Sequence, residues 1–331
     1  GLNLNDLQFT TKIPIQKSSF PIDYDSKILL LGSCFAENMG EKFDYFKFQT
    51  TINPFGIIFN PVSLEKLIRR SVEKRKFTEN DIFFHNDLWH CYDVHSELSN
   101  SDKDAFLESL NDLISSTNKH LSDSTHIIIT LGTSWVYQNI ASNEIVANCH
   151  KVLQKQFTKE LLSILQIEES LESIISLVHS VNPNCKFIFT VSPVRHIKDG
   201  FVENTLSKAH LIAAIHSVLN RKFSTSLELT TQNNIYFPAY EIMMDELRDY
   251  RFYAEDMLHP SQTAIDYIWI QFFENYISES QFGLMNDICS IQKGLKHRPF
   301  NPNTESHQKF LHQLELKIKT IQNQHPFIKF C

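Results

Sequence analysis

The chain contains 331 residues, of which 42% are hydrophobic and 21% are charged, as in ordinary globular proteins. The net charge of −7 argues against a nucleic-acid partner, because the one short cationic run, 69–76, is typical of a solvated helix face. No apolar stretch reaches the ~18 residues of a membrane span, and residues 1–5 lack the form of a signal peptide. Six cysteines without a C-x-x-C pair favour free thiols, so we expect a cytoplasmic protein.

Apolar runs and helically spaced segments alternate along the chain. Short β-rich runs bounded by turn or polar residues predict buried strands at 27–31, 126–131, 186–191 and 234–237. Apolar residues at helical spacing predict helices at 63–75, 104–121, 161–181, 204–223 and 263–277. This alternation is typical of an α/β fold, with a mainly parallel sheet and helices on both of its faces.

Two segments depart from the alternation. The insertion 77–99 contains a predicted hairpin with Asn86 and Asp87 as its turn, and we treat it as a candidate lid over the site. The tail 297–331 contains an amphipathic helix around Leu314, which docks on the domain or on a partner chain. No repeat or low-complexity linker divides the chain, so we predict a single domain, 1–331, with no prediction of its oligomeric state.

The first predicted strand ends at Gly32 and Ser33, which precede a helix-like stretch. A serine there lies at the carboxyl edge of a parallel sheet, where such sheets bind ligands. The N–H groups of the following helix point towards the same place and can stabilise an oxyanion. Ser33 is therefore a candidate nucleophile, and the alternative is a serine that only caps the helix.

Asp256 and His259 lie three residues apart in a segment that precedes the last predicted helix. This spacing brings both side chains to one side of a turn, so the carboxylate can fix the imidazole tautomer and stabilise its charged form. The alternative is a surface loop with no chemical role. Together with Ser33, the pair indicates a Ser-His-Asp arrangement for acyl transfer.

The string 32–36, Gly-Ser-Cys-Phe-Ala, is the motif for which the GSCFA family is named, and the chain is identified as a member of that family. The family resembles the SGNH/GDSL hydrolases. Further stretches that fit the family are 53–56, 132–135, 148–151, 192–196, 236–241 and 249–253. The resemblance implies an SGNH-hydrolase-like, flavodoxin-like, three-layer α/β/α fold over most of the chain.

The resemblance also implies roles for individual residues. Ser33 is the implied nucleophile, His259 the base and Asp256 the orienting acid, with the backbone N–H of Gly56 as an oxyanion donor. The superfamily places a further asparagine donor after its third strand, and this chain has none there. Its strand ends instead in Gly132, Thr133 and Ser134, so a hydroxyl of Thr133 or Ser134 replaces that donor, or Asn53 does.

Cys34 is a rival nucleophile, because it also lies at the start of a helix, where thiol pKa values fall. We expect its side chain to point into the helix packing, which favours Ser33. A thiol-dependent enzyme that pairs Cys34 with His150 or His196 is the alternative.

Two further residues are candidates for substrate binding. His150, in the polar run 148–151, either holds a substrate head group or belongs to a capped turn. Arg195 follows the fourth predicted strand, where it either binds an anionic group or pairs with Asp199 or Glu203.

The spacing of the other histidines does not favour a metal site. His85, His90 and His95 recur at five-residue steps, which do not align on one helix face and alternate between the faces of a strand. The chain also lacks the glycine-rich phosphate-binding motifs, so we predict neither a metal nor a cofactor.

These features predict a serine hydrolase or acyltransferase that acts on an ester, and by resemblance to the superfamily small acyl groups on carbohydrates are the favoured substrates. The missing asparagine motivates a second hypothesis, a non-catalytic ligand-binding module on the same fold.

Overall fold

The computed structural model describes residues 8–221 and 234–330. The strands of its central sheet are β1 (Lys27–Gly32), β2 (Gln49–Ile52), β5 (His126–Leu131), β9 (Lys186–Val191) and β10 (Asn234–Phe237). Two small antiparallel sheets contain β3 (Phe83–His85) with β4 (Leu88–His90), and β6 (Trp135–Asn139) with β7 (Glu144–Val146) and β8 (Phe157–Leu161). The main helices are α1 (Cys34–Tyr45), α2 (Pro61–Val72), α3 (Lys103–Asp123), α4 (Ile164–Val181), α5 (Phe201–Asn220), α6 (Gln262–Tyr276), α7 (Phe282–Lys296) and α8 (Glu305–Gln324).

The central sheet is parallel throughout and has the strand order β2-β1-β5-β9-β10. The order reverses between β1 and β5, and the crevice outside the carboxyl ends of such neighbouring strands is where open α/β sheets bind ligands. Ser33 and Cys34 follow β1 directly, so the fold places them at this crevice.

Helices cover both faces of the sheet, which confirms the predicted three-layer α/β/α fold. Side chains alternate along each strand, so Leu29 belongs to the apolar cluster that includes residues of α2 to α5, whereas Leu30 belongs to the cluster that includes residues of α1, α6, α7 and α8. The strands are apolar because both of their faces are buried. The predicted strands were found within one residue of their bounds, and residues 222 and 223 of the predicted helix 204–223 lie outside the described residues.

Some strands were not predicted from the sequence. Strand β2 is an edge strand and three of its residues are polar, so it does not form an apolar run. The sheet of β6, β7 and β8 was also not predicted. The hairpin in 77–99 is confirmed, because Asn86 and Asp87 both have positive φ, as a two-residue turn between β3 and β4 requires.

The tail helix docks on its own domain. In α8, Leu314 contacts α7 at Gly294, and Ile321 belongs to the same apolar cluster as the helices on that face of the sheet. Among the described residues, no helix is long and apolar enough to cross a bilayer.

The turn between β1 and α1 depends on Gly32. Its φ is +132°, and a Cβ at this position would lie 2.0 Å from the carbonyl oxygen of Thr130 on β5. Its N–H donates to Oδ1 of Asn53 at 2.8 Å, and its carbonyl accepts from the N–H of Ile58 at 3.0 Å. Only glycine combines this backbone conformation with so close an approach to β5.

Replacing Gly32 with Ala is expected to destabilise the protein by about 3 kcal/mol or more, because strain at a positive φ and an overpacked contact each cost about 1–3 kcal/mol. Gly283→Ala is the matched control, because nothing lies within 4 Å of its added Cβ. It lies near the start of α7, where removing a glycine stabilises by about 0.4–1 kcal/mol. Thermal unfolding of both variants measures the difference, and equal melting temperatures would contradict this account of the turn.

Candidate active site

Ser33 is fully buried, with 0% of its surface exposed. Its N–H donates to the carbonyl of Thr130 at 3.0 Å, and its Oγ has no hydrogen-bond partner among the described residues. It occupies the N-cap position of α1, but its side chain does not cap the helix. The capping alternative therefore fails, and the hydroxyl also does not reach the cleft described below.

Cys34, the first residue of α1, lies on the wall of that cleft. The residue is partly exposed, whereas we expected its side chain to point into the helix packing. Burial raises the pKa of the Cys34 thiol above its usual range, while the charge of Lys208 and the N–H groups of Cys34 and Phe35 act in the opposite direction. These amides belong to the first turn of a helix, where N–H groups lack helical partners.

Asp256 and His259 form the pair that their spacing predicts. Nδ1 of His259 donates to Oδ2 of Asp256 at 2.5 Å, and Oδ1 of Asp256 accepts from the N–H groups of Leu258 at 2.9 Å and His259 at 3.0 Å. The two backbone bonds, followed by the imidazole, lower the pKa of Asp256 to about 2. The carboxylate therefore stays ionised at neutral pH and orients the imidazole.

A cleft of about 420 Å³ lies at the carboxyl edge of the central sheet and brings Cys34 and His259 to the same space. Its other lining residues are Phe59, Thr133, Trp135, Tyr137, Leu258 and the segment 194–199. Of the described residues, none from the insertion 77–99 lines it, so this cleft does not support the candidate lid. Its size and aromatic walls suit a small ligand.

Another, larger cavity of about 850 Å³ lies beside β10 and the segment 13–19. Its carboxylate, Glu241, is bonded to the hydroxyl of Tyr236. Because that carboxylate is already engaged, we take the smaller cleft, which Cys34 and His259 line, as the candidate active site.

Arg195 anchors the loop that carries Asp256 and His259. Its Nη1 donates to the carbonyl of Met257 at 3.1 Å, and its backbone N–H donates to the carbonyl of Leu258 at 3.2 Å. Its guanidinium also lies over the ring of Tyr253, at 5.7 Å. Asp199, one of the partners expected for Arg195, pairs instead with Lys159.

Two further titratable residues belong to the site: His196, which was predicted only as an alternative partner of Cys34, and Lys208, which was not predicted. His196 lines the cleft, and burial, followed by the charges of Lys208 and His259, lowers its pKa to about 3. Lys208 on α5 is buried beneath the cleft and bonds to Gly132 and Ser192. The sequence contains a signal for Lys208, because it lies three and seven residues before the buried Leu211 and Ile215, on the apolar face of its helix.

Asn53 and Gly56 belong to the segment after β2 that contacts the turn between β1 and α1. Oδ1 of Asn53 holds the N–H of Gly32, as described above. The N–H of Gly56 donates to the carbonyl of Asn53 at 2.8 Å, and Gly56 packs against His95. Neither residue lines the cleft.

The end of β5 is tied to α5. The N–H groups of Gly132 and Thr133 both donate to the carbonyl of Phe59, at 2.9 and 3.2 Å. Thr133 lines the cleft and its Oγ1 lies 3.2 Å from Oγ of Ser207. Ser134 is buried and bonds to Ser207 through both its N–H and its hydroxyl. Of these residues, Thr133 alone offers a hydroxyl at the cleft.

His150 lies away from the cleft, in a third cavity that the hairpin of 77–99 helps to line. Its Nε2 lies 2.5 Å from the carbonyl of Cys91, and burial lowers its pKa to about 4. Its φ is +52° and its N–H donates to the side chain of Asn148, which matches the capped-turn alternative. Within 8–221 and 234–330, no group of three or more His, Cys, Asp or Glu residues is arranged to hold a metal ion.

The fold and the cleft define a doubly wound α/β protein with a thiol and a carboxylate-bound imidazole at its topological switch point. The chain belongs to the GSCFA family, whose profile matches residues 27–272. A second profile, described as GSCFA domain protein, C-terminal domain, matches residues 288–330 and so covers α8 and most of α7. No curated protein matches the chain.

Arg195→Met is expected to loosen the loop 254–259, because it removes a charged hydrogen bond to Met257. A loss of about 1 kcal/mol raises the rate of amide hydrogen exchange about fivefold if exchange occurs by local opening. Lys198→Met is the control, because Lys198 also lines the cleft. Exchange of the amides of Leu258 and His259, followed by NMR, tests the claim. Equal rates in both variants would show that Arg195 does not hold the loop.

Proposed function

We propose that the protein is an acyl-transfer enzyme that acts on an ester through the thiol of Cys34, with His259 as the base and Asp256 as the orienting acid. The observation that carries the proposal is that Asp256 fixes His259 at a cleft whose wall contains Cys34, whereas Ser33 is fully buried. The resemblance to SGNH/GDSL hydrolases supports the reaction class, and small O-acyl groups on carbohydrates remain the favoured substrates.

The reaction begins when Nε2 of His259 takes the proton of Sγ, which attacks the ester carbonyl. The carbonyl electrons move to the oxygen, and the N–H groups of Cys34 and Phe35 at the start of α1 are placed to stabilise the resulting charge. When the C–O bond breaks, the imidazolium protonates the leaving alcohol and a thioester remains. Water or an acceptor hydroxyl then gives its proton to His259 while its oxygen attacks the thioester carbonyl. The C–S bond breaks, the acyl group leaves on the new oxygen, and the imidazolium returns the proton to the thiolate of Cys34.

The electrostatics of the cleft favour this division of roles. Since burial raises the pKa of Cys34, the thiol keeps its proton at neutral pH and needs a base. Asp256 accepts a hydrogen bond from Nδ1 of His259, so the neutral imidazole has its lone pair on Nε2, as a base requires.

One observation favours the alternative of a non-catalytic binding module. The N–H groups of Gly56, Gly132 and Thr133 already donate to backbone carbonyls, so the donors expected beside the helix are engaged. The donors that remain at the cleft are the hydroxyl of Thr133 and the N–H groups at the start of α1.

Cys34→Ala is expected to reduce nitrophenolate release from p-nitrophenyl acetate to the background rate, because it removes the nucleophile. Ser33→Ala is expected to retain activity and stability, since its Oγ bonds to no described residue. Cys289→Ala controls for the loss of another partly exposed thiol. Loss of activity in Ser33→Ala alone would assign the serine, and no turnover by the folded parent protein would support the binding module.

Asp256→Asn is expected to lower the rate roughly 10²–10⁴-fold, the usual contribution of a positioned acid–base group. The amide oxygen can still accept from the two backbone N–H groups, but its NH₂ group then faces Nδ1 of His259. The imidazole must turn Nδ1 into an acceptor and carry its proton on Nε2, where it cannot act as a base. Asp266→Asn on α6 is the control. Equal rates for the two variants would remove Asp256 from the mechanism.

A further inference from the structure

Lys208 is an unusual residue for the interior of a protein, because lysine is rarely fully buried unless it is paired with an acid. Only 1% of its surface is exposed. Its Nζ donates to the carbonyl of Gly132 at 2.8 Å and to that of Ser192 at 2.7 Å. No carboxylate of the described residues lies within ion-pair distance of it.

The two carbonyls belong to the residues that follow β5 and β9, so Lys208 bridges neighbouring strand ends beneath the cleft. Gly132 is also close to the nucleophile turn, since a Cβ on Gly132 would lie 3.2 Å from Cβ of Ser33. The ammonium group is therefore held at the floor of the reactive centre by two fixed acceptors.

Three titratable groups face Lys208 from different elements. They are Cys34 on α1, His196 after β9, and Tyr240 after β10, whose ring centroid lies 6.0 Å from Nζ. Burial keeps His196 neutral at physiological pH and raises the pKa of Tyr240. Cys34 is the member of this set that becomes an anion in the reaction proposed above.

We propose that Lys208 is a positioning residue of the reactive centre, which ties the ends of β5 and β9 together and stabilises the thiolate of Cys34 with its ammonium charge. This inference rests on the proposed role of Cys34 as the nucleophile. Burial lowers the pKa of Lys208 to about 7, and Cys34 acts in the opposite direction, so each group favours the charged form of the other.

A purely structural role makes a different prediction. A neutral amine also has two N–H groups and can bridge the same carbonyls, so a lysine with only a structural role needs no charge. The pH dependence of Cys34 reactivity therefore distinguishes the two roles, whereas stability alone does not.

The test is the rate of alkylation of Cys34 by iodoacetamide as a function of pH, read by mass spectrometry from the tryptic peptide 28–42, which contains no other cysteine. Because Lys208 is charged only below its pKa of about 7, Lys208→Met is expected to slow alkylation at about pH 6, by about tenfold for each unit by which the ammonium lowers the pKa of the thiol, and to change it little above pH 9, where the parent lysine is neutral. Tyr240→Phe, which retains the ammonium group, is the matched control and is expected to keep the parent rates at both pH values. A folded Lys208→Met protein with the parent rate at about pH 6 would overturn the proposal.

A reciprocal measurement covers the case in which Lys208→Met does not fold. Lysine labelled with ¹³C at Cε allows the buried amine to be titrated by NMR in the parent protein and in Cys34→Asp. The proposal expects a higher midpoint for Lys208 in Cys34→Asp, because a carboxylate that is ionised at neutral pH takes the place of the thiolate and favours the ammonium form. The same midpoint in both proteins would overturn it. Acyl transfer that survives in Cys34→Ala would instead defeat the proposed function, whatever the titrations give.

Discussion

The turn at Gly32 is the constraint on which the reactive centre depends. Because its φ is positive and β5 lies so close, the chain leaves β1 in one direction, which buries Ser33 and starts α1 at Cys34. Asn53, which follows β2, accepts a hydrogen bond from the N–H of Gly32 through its side chain and so stabilises this geometry. The residue at which the helix begins thus decides which of the two candidate nucleophiles lies at the cleft.

The turn that carries Asp256 and His259 is held in place independently of the turn at Gly32. Asp256 is fixed by backbone N–H groups of its own turn, and Arg195 holds the same turn from the end of β9. Lys208 connects the end of β9 to the end of β5, so the proposed nucleophile and base are positioned by neighbouring strands of one sheet. Such preorganisation is what acyl transfer requires of a scaffold.

The sequence predicted the fold well, because buried parallel strands are continuous apolar runs and the Asp-x-x-His pair is local in the chain. It favoured Ser33 over Cys34, whereas the burial of Ser33 leads us to propose Cys34, because adjacent residues differ in the direction that the turn imposes. The role of Arg195 was not predicted, because its bonds to Met257 and Leu258 join segments about 60 residues apart in the chain. Lys208 was overlooked because lysine in a helix is usually solvated, although its place on an apolar face marked it.

The identity of the atom that carries the acyl group tests the central claim most directly. A β-lactone acylates either an activated serine or an activated cysteine, and fragmentation of the peptide 28–42 locates the adduct. The account predicts a thioester on Sγ of Cys34, which neutral hydroxylamine releases. An oxygen ester on Ser33 that resists hydroxylamine would contradict it.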